Sequence, residues 1–394
     1  MSRARDSAQL AFATMVFRFA LGSTRLAVVA CAAALSCSAA PPPSVPPEEV
    51  AMPTPSVEAL KPEQPPPPPQ EPFVLTPVAI ARGDLVVTSK HLYWLETRFR
   101  AGKPRRSGAS SAARGLLGFG AALQCDDAGG ALMRVDRGSG QRETVAELDY
   151  RPFSLAFDGR RLYWTGAPCA GRPRSSTDPE WLWTWDTTRE GEPTPLGDRD
   201  RNYLDIVTTT GAAYVSDRFG KGGAFRFVDG GGPENVVPES EQPWVVAVDD
   251  RSFFWSDAAW MLWETDVGTK KATQRVPLGA MPSDAHLFDG GLVVRTSSEV
   301  LVLSRPGWQI QQRVDIASYG DRGAGALVEG RYYLWADGTD RISRLDVKTG
   351  AITTAVTSAA QEACGVAYDA GTLYWIDRKR DAILAWPSPP FVGG

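Results

Sequence analysis

Few residues in this chain of 394 are able to do chemistry at a distance from one another, and most of those are sparse types. There are two histidines, His91 and His286, and five cysteines. No Cys-x-x-Cys or His-x-x-x-His spacing occurs, so a zinc site is not expected, and no metal or cofactor is called for. Asp126-Asp127 and Asp249-Asp250 are acidic pairs flanked by turn residues, read as solvated turn groups rather than calcium ligands. One cationic stretch stands out, RFRAGKPRRSGASSAARG at 98–115, with Arg98, Arg100, Lys103, Arg105, Arg106 and Arg114. Such a stretch suits an anionic partner: a polysaccharide, a lipid head group or an acidic protein surface. The alternative is a solvated loop with no partner. No arrangement of nucleophile, base and acid is apparent, so no catalytic residue is assigned.

The elements that must position these residues repeat along the chain. FSLAFDGRRLYWTG (153–166), WVVAVDDRSFFWSD (244–257), GALVEGRYYLWAD (325–337) and CGVAYDAGTLYWID (364–377) each read as strand, tight Asp/Gly turn and aromatic strand. Weaker copies are DLVVTSKHLYWLE (84–96), LDIVTTTGAAYVSD (204–217) and AHLFDGGLVVRT (285–296). Aligned on the aromatic strand, the marker positions are Trp94, Trp164, Val215, Trp255, Val294, Trp335 and Trp375. Five of the seven units follow their predecessor at intervals of 39 to 51 residues, and the first interval is longer because of the basic insertion.

A second hairpin follows in the units, as in LMRVDRGSGQRETVAEL (132–148), LWTWDTTREGEPTPL (182–196), LWETDVGTKKATQRVPL (262–278) and ISRLDVKTGAITTAV (342–356). Four strands per unit, about 40 residues per repeat, predict an all-β fold: a β-propeller of seven four-stranded blades. A lone blade exposes two apolar faces, and only neighbours on both sides bury them. Trp181, Trp183 and Trp185 alternate along one strand and so share a face, expected to pack on the adjacent blade. The last unit ends at AILAWPSPPFVGG with a third strand and no fourth. The economical closure takes FVLTPVAI (73–80) as that fourth strand and removes an exposed edge.

Tyr163-Trp164-Thr165, Phe254-Trp255-Ser256-Asp257 and Tyr374-Trp375-Ile376-Asp377 resemble the YWTD repeat of lipoprotein-receptor-type propellers, and more loosely NHL-type and quinoprotein-type repeats. The resemblance spans about 80–386 at the level of the repeat and implies a fold and a binding habit, not a reaction. It departs in blade number, YWTD propellers having six, and at Gly166, where the repeat acid is missing. Leu345-Asp346-Val347-Lys348-Thr349-Gly350 is similar to the quinoprotein blade turn without its tryptophan and is read as turn chemistry. Propeller lactonases hold a central cation with Glu, Asn and Asp; Asn202 and Asn235 do not stand at a comparable repeat position.

The N-terminal part reads as an address. LAVVACAAALS (26–36) follows Arg25 and is too short to span a bilayer. It closes on Ala34-Leu35-Ser36-Cys37-Ser38, which resembles the bacterial lipobox, with Cys37 as the lipidated first mature residue. The alternative is an ordinary signal peptide cleaved near Ala39 or Ala40. The proline-dominated segment 38–72 reads as an extended tether between lipid and a folded domain at 73–394. Beyond residue 37 the chain has 38 basic and 45 acidic residues, which argues against nucleic acid. In an oxidising compartment Cys125 and Cys169, in insertions at equivalent points of adjacent units, are expected to form a disulfide, and Cys364 to be a buried thiol. The functional expectation is an exported, lipid-anchored module at the cell envelope, periplasmic or on the outer surface, binding a protein or glycan. The alternative is a hydrolase or lyase working in the central channel. SLAF, VVAV and GVAY, the innermost strands recognisable by eye, are poor in ionisable groups, which favours the binder.

Overall fold

The computed structural model describes residues 71–79, 81–99, 127–168, 181–189, 191–198, 201–217, 221–229, 231–239, 241–316, 323–337, 340–357, 360, 362–387 and 389. These form seven antiparallel four-stranded sheets, with no helix among the described residues. Blade 1 runs through Ala81–Val87, His91–Phe99, Asp127–Asp136 and Arg142–Leu148, each strand paired with the next. Blades 2 to 6 repeat that meander over 150–196, 203–237, 244–277, 282–315 and 326–357. Blade 7 takes three strands from 363–387 and completes itself with Phe73–Pro77, which pairs antiparallel to Ala382–Pro387. The first strand of every blade lies against the first strands of both neighbours, blade 7 touching blade 1, so the ring is closed around a channel. This is a seven-bladed β-propeller with the ring fastened by its N-terminal strand, as the repeat predicts.

The marker residues sit in the second strands. Trp94, Trp164, Val215, Val294 and Trp375 face Leu85, Leu155, Ile206, Ala285 and Val366 of the first strands, just after a break in register. Trp94, Trp164 and Trp375 are fully buried, and burying a side chain of this size contributes about 1.5–3 kcal/mol. The cores lie between blades rather than within them. Tyr93, Leu95 and Leu132 of blade 1 pack with Leu155, Leu162 and Trp185 of blade 2. Trp185 is buried there, its ring 6.3 Å from that of Tyr93, with Trp183 partly buried beside it. The shared face of this strand does pack on the adjacent blade.

Most of the acidic residues of the repeat are consumed by turns. Asp136, Asp186, Asp266 and Asp346 end third strands, and each accepts backbone N–H bonds from the turn that follows. Gly350 then takes a φ of +76°, which permits the reversal after Lys348 and Thr349. Asp249 likewise accepts from the Arg251 and Ser252 amides, so this acidic pair is turn chemistry.

The missing repeat acid has a physical reason. In blade 1, Glu96 occupies that position and accepts the Trp94 indole N–H at 2.9 Å. In blade 2 the position is Gly166, and a Cβ there would lie 2.4 Å from the Tyr150 ring. The Tyr150 hydroxyl fills the vacated role, accepting the Trp164 N–H at 2.9 Å.

Candidate functional site

Of the residues singled out for binding, only Arg98 belongs to the described set. Arg100, Lys103, Arg105 and Arg106 lie outside the described residues, as do Cys37 and the pair Cys125 and Cys169. Arg98 stands near the end of His91–Phe99, which with Asp127–Asp136 forms the longest pair of adjoining strands among the described residues: nine and ten residues, against five and six in blade 4. Across from it is Gly129, and its guanidinium pairs with Glu147 on the far side of that strand. The pair is exposed and adds little to stability. The corresponding hairpin of blade 2 is also extended, and ends at the half-buried Trp181 and Trp183. The Tyr150 ring stacks on Trp183 at 4.8 Å and 11°.

The channel wall differs from expectation. The strands SLAF, VVAV and GVAY represent only blades 2, 4 and 7, and other first strands are not free of ionisable groups. Asp84, Asp205 and Asp284 occupy one repeat position, each ten residues before its marker, in blades 1, 3 and 5. His286 and Arg151 lie on first strands as well, and all five are half-buried. That constant offset of ten was legible in the sequence and is the signal that finds the three aspartates.

Each of these groups is engaged. Asp84 accepts the Leu155 amide of blade 2 at 3.0 Å. Asp284 accepts the Gly325 amide of blade 6 at 2.8 Å and the Tyr333 hydroxyl at 2.7 Å, with His286 Nε2 at 3.3 Å from the same oxygen. The Arg151 guanidinium lies 5.6 Å from the Phe153 ring centroid, and Asp205 is not free either. Asp84 and Asp284 therefore tie one inner strand to the next where bulges interrupt the ladder. Arg295, buried opposite Asp284, donates to Ser283 Oγ and to the Gly323 carbonyl.

The electrostatics follow from burial and pairing. Burial alone would raise Asp284, but His286, Arg295 and the Tyr333 hydroxyl hold its carboxyl well below the usual carboxylate range. Burial opposes charge on His286, and the Asp284 carboxylate outweighs it, lifting the imidazole above its ordinary value. Cys364 is a free, buried thiol, as expected, pushed up to about 12 by burial and by Asp84 and Asp377, which leaves it a poor nucleophile.

A shallow cleft of about 330 Å³ lies in blade 2, lined by Arg161, Trp185, Asp186, Arg189, Glu192 and Thr194 among others. Three of its charged residues are paired: Asp186 with Arg189 and with Arg160, and Arg161 with Asp229. Among the described residues no group of three or more His, Cys, Asp or Glu is placed to hold a metal ion. Asn202 donates its amide to Asp217 and Asn235 pairs on an outer strand.

No protein family and no curated protein matches the sequence. Solved structures match the fold. Virginiamycin B lyase from Staphylococcus aureus superposes with a TM-score of 0.54 at 12% identity, over 80% of this chain and 97% of that one. A chain of the mitotic checkpoint complex gives 0.58 at 9% identity, over 86% and 99%. A β-propeller domain from Myceliophteria thermophila gives 0.55 at 8%, over 80% and 99%. At such identities the likeness is one of fold, and this chain is a seven-bladed β-propeller of a kind shared by proteins of unrelated roles.

Proposed function

We propose that this chain is an exported, lipid-anchored propeller of YWTD/NHL-like repeat type that binds a protein or glycan partner at the cell envelope, periplasmic or outer surface, without nucleic acid. The observation that carries the reading is the blade 1 hairpin. On a domain with more acidic than basic residues, the longest strands among the described residues flank the cationic stretch 98–115. Long insertions on a rigid ring are where propellers gain binding function. Arg98, Arg100, Lys103, Arg105 and Arg106 form the anion-facing group in this reading, and a Cys125–Cys169 disulfide braces the two neighbouring insertions. The channel wall supports a binder over an enzyme, because Asp84 and Asp284, two of its ionisable side chains, are occupied in joining blades.

Membrane attachment is tested by fractionation: Cys37→Ala should move the protein from the membrane to the soluble fraction, and unchanged fractionation would sink the anchor. Partner binding is tested by capture from the protein's own envelope with wild type and Arg105→Ala/Arg106→Ala as baits. A partner retained by the first and lost by the second is the expected result.

One observation favours a second reading. Asp284, His286 and Tyr333 put a carboxylate, an imidazole and a phenol together on the channel wall, and a lyase shares the fold. Turnover of a small molecule, abolished by His286→Ala in a folded protein, would establish it.

A further inference from the structure

Blades 5 and 6 meet at the channel wall around one carboxylate oxygen. Asp284 Oδ2 receives the Gly325 N–H and the Tyr333 O–H, both from blade 6. From blade 5 itself comes His286, two residues along Pro282–Phe288 and so on the same face of that strand, its Nε2 3.3 Å away. The imidazole leans on the Tyr333 ring, centroid to centroid 5.7 Å. His286 thus touches both sides of the seam.

The charges around this seam are few. On the second strand of blade 5, Arg295 directs its guanidinium to Ser283 Oγ and the Gly323 carbonyl rather than to Asp284. On blade 6, Tyr333 and the Gly325 amide face the carboxylate. The first strand of blade 4, Trp244–Val248, packs on the other side and brings only apolar residues. The side chain of Asp284 is 11% exposed and that of His286 29%. A carboxylate this enclosed is costly without a close counter-charge, and the imidazole is placed to supply one alongside the Arg295 guanidinium.

We propose that His286 is a proton-operated latch on the blade 5–6 seam: protonated, it bridges Asp284 and blade 6; neutral, it releases the Gly325 end of blade 6's inner strand from blade 5. The direction follows from linkage. Because folding raises the affinity of His286 for its proton, the latch contributes fully below the unfolded value of about 6.5 and is lost as pH rises through the folded value. Alkaline conditions, not acidic ones, open the seam.

Two histidines make the test direct. Ring C–H resonances of the mature chain, followed by NMR across pH and assigned with His91→Gln, report both midpoints. His91 should titrate below about 6.5, since burial and then Arg134 and Lys90 disfavour its charge, and His286 above it. Hydrogen exchange of segment 323–328, corrected for the intrinsic effect of pH, should accelerate as pH passes the His286 midpoint. It should rise about tenfold for each pH unit by which that midpoint exceeds 6.5, while segment 244–248 stays level. Asp284→Asn should drop the His286 midpoint below 6.5, and His286→Gln should abolish the pH step in exchange. A His286 midpoint at or below 6.5, or exchange in 323–328 that ignores that midpoint, overturns the latch. Because the titration and exchange of the wild-type chain decide the matter alone, a variant that fails to fold does not protect the idea.

Discussion

The seam between blades 4 and 5 is closed at the channel wall by Val246 and Ala247 against Ala285 and Leu287, and behind them by Phe254, Leu262, Leu292, Leu301 and Trp308. The seam between blades 5 and 6 has a similar apolar body, with Val293, Val302, Tyr333 and Trp335, but its channel-side end is Asp284, His286 and the Gly325 amide. Both ends are formed by the first strands of adjoining blades. Apolar contact is strong and non-directional, whereas a carboxylate with two donors and an imidazole beside it fixes how two strands meet at the cost of depending on protonation. Blade 5 therefore has one side indifferent to pH and one side that is not.

Substitutions on the two sides should separate these behaviours. The largest effect is expected from Phe254→Ala, a fully buried ring packed on Trp308 at 4.9 Å, at about 3–5 kcal/mol by urea unfolding. That loss should be the same between about pH 6 and about pH 9, because no titrating group is removed. Asp284→Ala should cost about 3 kcal/mol below the His286 midpoint, since Gly325 and Tyr333 lose their shared acceptor and His286 its neighbouring carboxylate, and less above that midpoint, where the imidazole is neutral. A pH-independent Asp284→Ala loss would erase the contrast between the seams. Tyr333→Phe, which removes one donor and keeps the ring, should cost about 1.5–2 kcal/mol and leave the His286 midpoint still raised. Arg105→Ala/Arg106→Ala should change stability by no more than about 0.5 kcal/mol.

The blades were legible because their chemistry is local. An Asp at the end of a third strand and a Gly in the turn, as at Asp346 and Gly350, mark a hairpin with no reference to the rest of the chain. The strand of 73–77 was legible by elimination, blade 7 lacking a fourth strand. The joints of the channel wall were not found, although Asp84, Asp205 and Asp284 share one offset. The blades with the clearest aromatic motifs carry Ser154, Val245 and Gly365 at the same position, so their inner strands give no sign of it. Their partners, Leu155 and Gly325, belong to the next blade, and no window of one repeat contains both ends of the bond. Gly166 looked like a defect of the motif, and only the approach of Tyr150 shows it to be a requirement.

Whether binding belongs to the cationic stretch of blade 1 or to the channel wall is decided most directly by comparing variants of each against one acidic probe. Binding of an immobilised polyuronate would be measured for wild type, Arg105→Ala/Arg106→Ala and Asp284→Asn, at low ionic strength and again near 0.15 M, where screening acts over about 8 Å. The account predicts that the arginine variant loses affinity at low salt, that the loss shrinks as salt rises, and that Asp284→Asn binds as wild type does. Affinity lost with Asp284→Asn and retained by the arginine variant would contradict it and place the site in the channel.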